Sequence, residues 1–342
     1  MNAVLAELGQ LYAAHALPSH DDLLALTESA ITMLESESPS YRPRSDGHAA
    51  GGLLDFTDAP ERPLIVVPDL HGRGDFFLHL LCFPPARWGI SGYATVLDAL
   101  ANHALRVVCV GDLFHTERRC KARWLAAWDA YARGEFESDA MVAEMEENLT
   151  LYQMVLRVKN AFPATFHFLK GNHENILNES GRGNHPFRKF ADEGNMVYDF
   201  MASRYGDSVL HVMSVWEHLL PICAAFPTCV VSHAEPKEPY TKKQIMAYRD
   251  HPAVVLGLTW TANDEAEDGS VRKNLRTLLG AERAKTAVWL AGHRPTDERY
   301  AVRQDGALVQ IHSPDREQVA VIMPGSRFDA GRDIRPLCDG KL

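Results

Sequence analysis

Residues 63–73 read PLIVVPDLHGR: four aliphatic residues, Leu64 to Val67, followed almost at once by a small polar cluster, Asp69, His71 and Gly72. An apolar run without alternation suits a strand covered on both faces, because both rows of its side chains are buried. The arrangement recurs four times. RVVCV (106–110) leads to Gly111-Asp112, FHFLK (166–170) to Gly171-Asn172-His173-Glu174, TCVV (228–231) to Ser232-His233, and AVWLA (287–291) to Gly292-His293. The stretches between them are long enough for helical crossovers, which predicts a layered α/β domain with central β-sheets flanked by helices. Because the polar clusters stand about 40 to 60 residues apart, no local motif explains them. Strands that all deliver their carboxyl ends to one edge would bring the clusters together, where α/β proteins collect ligands.

Two further strand-like runs, ALVQIH (307–312) and QVAVIMP (318–324), flank a Ser-Pro-Asp turn and read as an antiparallel pair. Residues 2–16 and 20–36 show helical spacing of Leu, Ala and Ile, the second behind Pro18-Ser19. From Glu37 to Arg62 the chain is rich in Ser, Pro, Gly and Asp and reads as a linker or long surface loop. The expected organisation is therefore an N-terminal helical extension and linker over 1–60, a catalytic domain over 61–330 with helical insertions at about 116–160 and 175–216, and a tail over 331–342.

With 342 residues, 46% of them apolar, the chain can bury a sizeable core. Its 45 acidic and 35 basic residues leave a net charge of −10, which argues against a nucleic-acid partner, since that needs a basic face to displace counterions. No apolar run is long enough to span a bilayer. Glu7 interrupts the apolar N-terminus and no basic n-region precedes it, so the segment reads as an amphipathic helix and the expected location is cytoplasmic, without a membrane partner. Six cysteines, none in a CxxC pair, read as reduced thiols.

The five strand ends present two carboxylates (Asp69, Asp112), one amide oxygen (Asn172) and four imidazoles (His71, His173, His233, His293). That donor set has no thiolate and suits Mn²⁺, Fe or Zn²⁺ in a reactive site rather than structural zinc. One ion would not use so many donors. Two would, if a carboxylate such as Asp112 bridged them roughly 3.5–4 Å apart, as in two-metal hydrolases. The remaining histidines, His312 among them, read as ordinary core or surface residues, and His115 stands between contact with the site and simple exposure.

Asp69-x-His71, Gly111-Asp112, Gly171-Asn172-His173-Glu174, His233 and Gly292-His293 together resemble the ordered signature of the calcineurin-like metallophosphoesterases. The likeness spans roughly 63–295. It implies that Asp69, His71 and Asp112 hold one metal and that Asp112, Asn172, His233 and His293 hold the second, manganese foremost. His173 then corresponds to the general acid for the leaving oxygen, a role an imidazole fills near neutral pH. Leu220-Pro221 before Val231-Ser232-His233, and Leu258-Thr259-Trp260 later, look closest to the phosphoprotein-phosphatase branch, which also holds diadenosine tetraphosphatases. His293-Arg294-Pro295 lacks the second His of the G-H-x-H pattern, leaving the first metal with three protein ligands.

One departure bears on substrate. Where that branch continues to an Asp-Arg pair, this chain has His115 and Thr116, so the phosphate clamp must come from elsewhere, with Arg73 and Arg294 as candidates. The function this implies is hydrolysis of phosphomonoesters, including phospho-Ser or phospho-Thr in proteins. Its alternatives are a dinucleoside polyphosphate or phosphodiester hydrolase and, from another class, an inactive metal-binding scaffold that recognises phosphorylated partners.

Overall fold

A computed structural model describes residues 3–45 and 49–337. His48, Cys338 and the rest of the expected tail beyond residue 337 lie outside the described residues. The chain opens with helices α1 (Ala3–Ala14) and α2 (His20–Glu35), the latter capped by the Ser19 side chain. A short ribbon, β1 (Arg44–Ser45) with β2 (Ala49–Ala50), follows, and then β3 (Leu53–Asp55).

The expected strands form as β4 (Leu64–Val67), β5 (Arg106–Cys109), β6 (Phe166–Phe168), β8 (Cys229–Ser232) and β9 (Val288–Ala291), with β7 (Cys223–Ala225) before β8. They are joined near the C-terminus by β10 (Ala301–Arg303), β11 (Leu308–Gln310), β12 (Gln318–Ile322) and β13 (Ile334–Pro336). These strands make two sheets. One has the order β13-β12-β4-β5-β6 and the other β10-β11-β9-β8-β7-β3. Within the first, β4, β5 and β6 run parallel; within the second, β8, β9 and β11 do.

Side-chain alternation sorts each strand between two apolar layers. Leu64, Val66 and Val108 from one sheet meet Val231, Leu290 and Val309 from the other in the sandwich interior. Ile65, Val67 and Val107 face outward onto α3 (Gly74–Cys82), α4 (Val96–Ala101), α5 (Lys121–Tyr131), α6 (Asp139–Ala161) and α7 (Glu193–Leu219). Val230, Trp289 and Ala291 face the opposite way, onto α8 (Lys242–Met246), α9 (Pro252–Thr259) and α10 (Ser270–Ala284). The result is four layers, helix, sheet, sheet and helix, with a last short helix α11 (Ala330–Asp333) before β13.

The structure departs from the sequence expectations in three places. ALVQIH and QVAVIMP are not an antiparallel pair: β11 lies parallel to β9 in one sheet and β12 antiparallel to β4 in the other, so the chain crosses the seam between residues 310 and 318. The stretch 37–62 is not all linker, because Leu53 and Leu54 of β3 are fully buried and pair with β7 as an edge strand. Ile334–Pro336 pairs with β12 rather than trailing as a tail. The helices of the expected insertions, α6 and α7, are part of the layered body. Met145, Leu149 and Tyr152 of α6, with Met196, Phe200 and Trp216 of α7, lie in the main apolar cluster against the sheet. Helices this apolar on one face are held by the layer they cover.

Candidate metal centre

Every polar cluster expected from the sequence sits just past the carboxyl end of its strand, and the two sheets bring those ends together at one seam. Asp112 is the hub. Its Oδ2 lies 3.5 Å from His71 Nε2 on the side of the first sheet and 3.4 Å from His233 Nε2 on the side of the second. Around His71 stand Asp69, whose Oδ2 is 3.9 Å from Nε2, and Glu117, at 3.8 Å. Around His233 stand Asn172, whose Oδ1 is 2.8 Å from Nε2, and His293, whose Nδ1 is 3.0 Å from that same amide oxygen. All six side chains expected as ligands are therefore gathered, in two groups that share Asp112.

Backbone contacts aim these groups inward. His71 Nδ1 lies 3.2 Å from the Phe114 carbonyl and His233 Nδ1 3.2 Å from the Val110 carbonyl. A ring that donates from Nδ1 keeps its lone pair on Nε2, which here faces the cluster. The His293 amide donates to Asp69 at 2.9 Å, tying one sheet's loop to the other's carboxylate. Gly292 makes this possible: a Cβ there would fall on Asp69 Oδ1, and one at Gly171 would fall on Asp112 Oδ1. The loops are strained as well as tight. His71, Asp112, His115 and His293 all have positive φ, between 44° and 67°, a region that costs a non-glycine residue about 1–3 kcal/mol and gathers at functional sites.

Glu174 supplies the clamp behind Asp112. Its carboxylate accepts from the amides of Asp112 at 2.9 Å, Leu113 at 2.8 Å and Gly171 at 2.6 Å, so one buried side chain fixes two of the site loops. Neither its role nor that of Glu117 or His312 was foreseen from the sequence. His312 follows β11, is fully buried, and places Nε2 3.2 Å from Glu117 Oε2 and 3.8 Å from Asp69 Oδ2. The signal was present: ALVQIH is an apolar run that gives way to a polar residue, as the other five do.

Electrostatics favour a cation here. Burial, and then the neighbouring Asp69 and Glu174, push Asp112 well above the usual carboxylate range when nothing neutralises it. Burial also lowers His71 and His233, and lowers His293 to about 3, so these imidazoles are neutral and free to donate lone pairs. Three overlapping sets, Asp69/His71/His312, His71/Asp112/His173 and Asp69/Asp112/His233, each present donor atoms within 4.8 Å of one another. His312 Nδ1 lacks a hydrogen-bond partner although no part of the residue is exposed, a cost that coordination would remove. By donor chemistry and geometry, the residues present fit divalent metal.

His173 lies against this cluster, its Nε2 3.7 Å from Asp112 Oδ2 and its Nδ1 2.7 Å from His115 Nδ1. Phe187, from the loop before α7, packs on both rings, with centroids 3.8 Å from His173 and 4.6 Å from His115. His115 thus belongs to the site. Arg73 does not serve as the expected phosphate clamp. Its buried guanidinium donates to the carbonyls of Asp69, Leu70, Pro314 and Arg316, pinning the Asp69–His71 loop to the crossover after β11. Arg294 remains available beside His293, its Nε without a hydrogen-bond partner.

No protein-family model and no curated protein matches the sequence. Solved structures do match. A serine/threonine protein phosphatase from Saccharomyces cerevisiae, described as similar to human phosphatase PP5, superposes with a TM-score of 0.58 at 13% identity, covering 95% of this chain and 91% of that one. A cold-active protein-tyrosine phosphatase of a psychrophilic Shewanella species aligns at a TM-score of 0.42 and 11% identity, over 81% of this chain and 78% of that one. Among the described residues no helix is long and apolar enough to cross a membrane. The resemblance to calcineurin-like metallophosphoesterases is thus borne out in the architecture, which is that of the yeast serine/threonine phosphatase, and in a His/Asp cluster able to hold metal where its strands end.

Proposed function

We propose that the chain is a metal-dependent phosphoesterase with a two-metal centre, acting on phosphomonoesters that include phospho-Ser or phospho-Thr in proteins. The observation that carries this is the place of Asp112 Oδ2, within 3.5 Å of His71 Nε2 and 3.4 Å of His233 Nε2, with separate sets of donors beyond each. Asp69, His71 and Asp112 would hold one ion, and Asp112, Asn172, His233 and His293 the other. Manganese suits these donors, as do iron and zinc. Bound there, two divalent ions supply Lewis acidity and an activated water for in-line attack on phosphorus.

The protein's own groups do the rest. His173, at the rim of the cluster, donates a proton to the leaving oxygen from Nε2, while the His115 contact at Nδ1 holds its ring in that orientation. Arg294 takes the phosphate oxygens through its planar fork. Phe187 covers the two imidazoles and keeps bulk water from the transferred proton.

One feature favours the phosphoanhydride or phosphodiester alternative. The Trp260 ring stands 6.4 Å from His293 and 5.3 Å from His185, beside a cavity of about 200 Å³ bordered also by Lys237, where a flat base could stack. Turnover of p-nitrophenyl phosphate, its bis ester, diadenosine tetraphosphate and a phosphopeptide, each with added Mn²⁺, separates the readings. Hydrolysis of none of them, by protein that has taken up metal, would leave the scaffold alternative.

A further inference from the structure

Glu117 and His312 belong to no block of the resemblance, yet both face the first metal position. His312 is fully buried, its Nδ1 has no hydrogen-bond partner, and its Nε2 lies 3.2 Å from Glu117 Oε2 and 3.8 Å from Asp69 Oδ2. Its ring centroid is 5.5 Å from that of His71. Glu117 reaches the same space from the loop after Asp112, with Oε1 3.8 Å from His71 Nε2. Lys189, half exposed, approaches that oxygen from outside at 3.3 Å. A fully buried imidazole with Nδ1 unsatisfied, set among two carboxylates and a second imidazole, is costly as a purely structural residue. It is well suited as a metal donor.

We propose that Glu117 and His312 are protein ligands of the ion held by Asp69 and His71. This inference rests on the two-metal reading of the site and says which of its two positions is the stronger. The first position then has five protein donors, Asp69, His71, Asp112, Glu117 and His312, three of them anionic. The second has Asp112 with the neutral Asn172, His233 and His293. Added carboxylate favours a hard cation and tight binding. The two positions fill in order, the first at low metal concentration and the second above it. His312 occupies a role left open where the chain reads His293-Arg294-Pro295, and it does so from a different strand, because the crossover after β11 passes over the seam.

Calorimetric titration of metal-free protein with Mn²⁺, together with elemental analysis after dialysis, tests this. Wild type should take up two equivalents in two separated phases. Glu117→Gln and His312→Gln, each checked for unchanged circular dichroism, should weaken the tighter phase by roughly tenfold or more and leave the weaker in place. His293→Ala should do the reverse. If a folded variant keeps the tighter phase of wild type, its residue is not a ligand and the assignment is overturned. A wild type that binds fewer than two equivalents defeats the two-metal reading, and with it the ordered filling, which is a distinguishable result. Glu117→Gln preserves volume, so the test stands even where the His312 variant fails to fold.

Discussion

The Nδ1 atoms of His115 and His173 lie 2.7 Å apart, so one ring must donate and the other accept. When His173 carries protons on both nitrogens, its Nδ1 donates and His115 must hold its own proton on Nε2. A neutral imidazole orients its partner without the charge stabilisation that a carboxylate would add. His173→Asn is therefore expected to lower kcat by about 10²–10⁴-fold, with metal content unchanged. His115→Phe, which keeps the ring packing against Phe187, should cost about tenfold. Steady-state kinetics with elemental analysis on the same preparations checks both, and an unchanged kcat in the His173 variant would remove it as the proton donor.

On the proposed two-metal reading Asp112 serves both positions, so its loss should not resemble the loss of a ligand to one ion. Asp112→Asn keeps the shape but removes the charge facing both His71 and His233. Expected are less than one equivalent of retained metal and activity at background. Retention of both ions would show that the bridge lies elsewhere.

Much of this site was legible because its strands are covered on both faces, so each reads as an unbroken apolar run that ends where polar residues begin. Leu64–Val67, Arg106–Cys109 and Val288–Ala291 have no exposed residue. Partition between two sheets was not legible, since burial on both sides looks the same in either. His312 was missed because its strand was paired with the wrong neighbour: placed beside β12 its end points nowhere in particular, and placed beside β9 it points into the centre. Arg73 misled for a related reason. An arginine next to a metal loop is equally suited to gripping phosphate and to satisfying backbone carbonyls, and only the crossover at Pro314 and Arg316 decides between them.

Chelation should destabilise the protein as well as silence it. Asp69, Asp112, Glu117 and Glu174 are all buried around one small volume, and removing divalent ions leaves their charges to repel or to take up protons. Ions bound only by the native state stabilise it by mass action, by about 4 kcal/mol at a thousand times Kd. Differential scanning calorimetry with Mn²⁺ and with excess chelator should show a Tm several degrees lower in the latter. Equal Tm values would mean that these carboxylates hold no ion.

Glu174 is expected to matter through the backbone rather than through metal. Both of its oxygens accept amide hydrogens, so Glu174→Gln turns one of them into an NH₂ facing an N–H. A buried donor left without an acceptor costs about 1–3 kcal/mol. The urea midpoint should fall accordingly, and metal affinity should fall with it because Asp112 loses its support. A variant as stable as wild type would show that the loops around Asp112 and Gly171 hold themselves.

A second buried cluster, away from the candidate metal site, should control the acid limb of stability. Glu37 pairs with Arg42 and with Lys159, each at 2.5 Å, and approaches His167 Nδ1 at 3.4 Å. Tyr41 and Phe56 pack on the His167 ring, with centroids 5.5 and 5.2 Å away. Burial first, and then the Lys159 charge, lowers His167 to about 4, with Glu37 opposing. Folded protein therefore resists a proton that the unfolded chain accepts near pH 6.5. Below that pH the unfolded state binds more protons, so stability falls from about pH 6.5 down to about pH 4 and is flat above. Lys159 and Arg42 outweigh burial and hold Glu37 well below the ordinary carboxylate range, so its contribution is lost only at lower pH. His167→Phe keeps the ring and removes the upper window. At pH 5 wild type should have lost about 2 kcal/mol more, relative to pH 7, than the variant. The difference between the two proteins isolates His167, because burial also depresses His71, His115 and His293. Urea unfolding of both at pH 7 and pH 5 gives that difference, and parallel losses would mean that His167 titrates as it does in the unfolded chain.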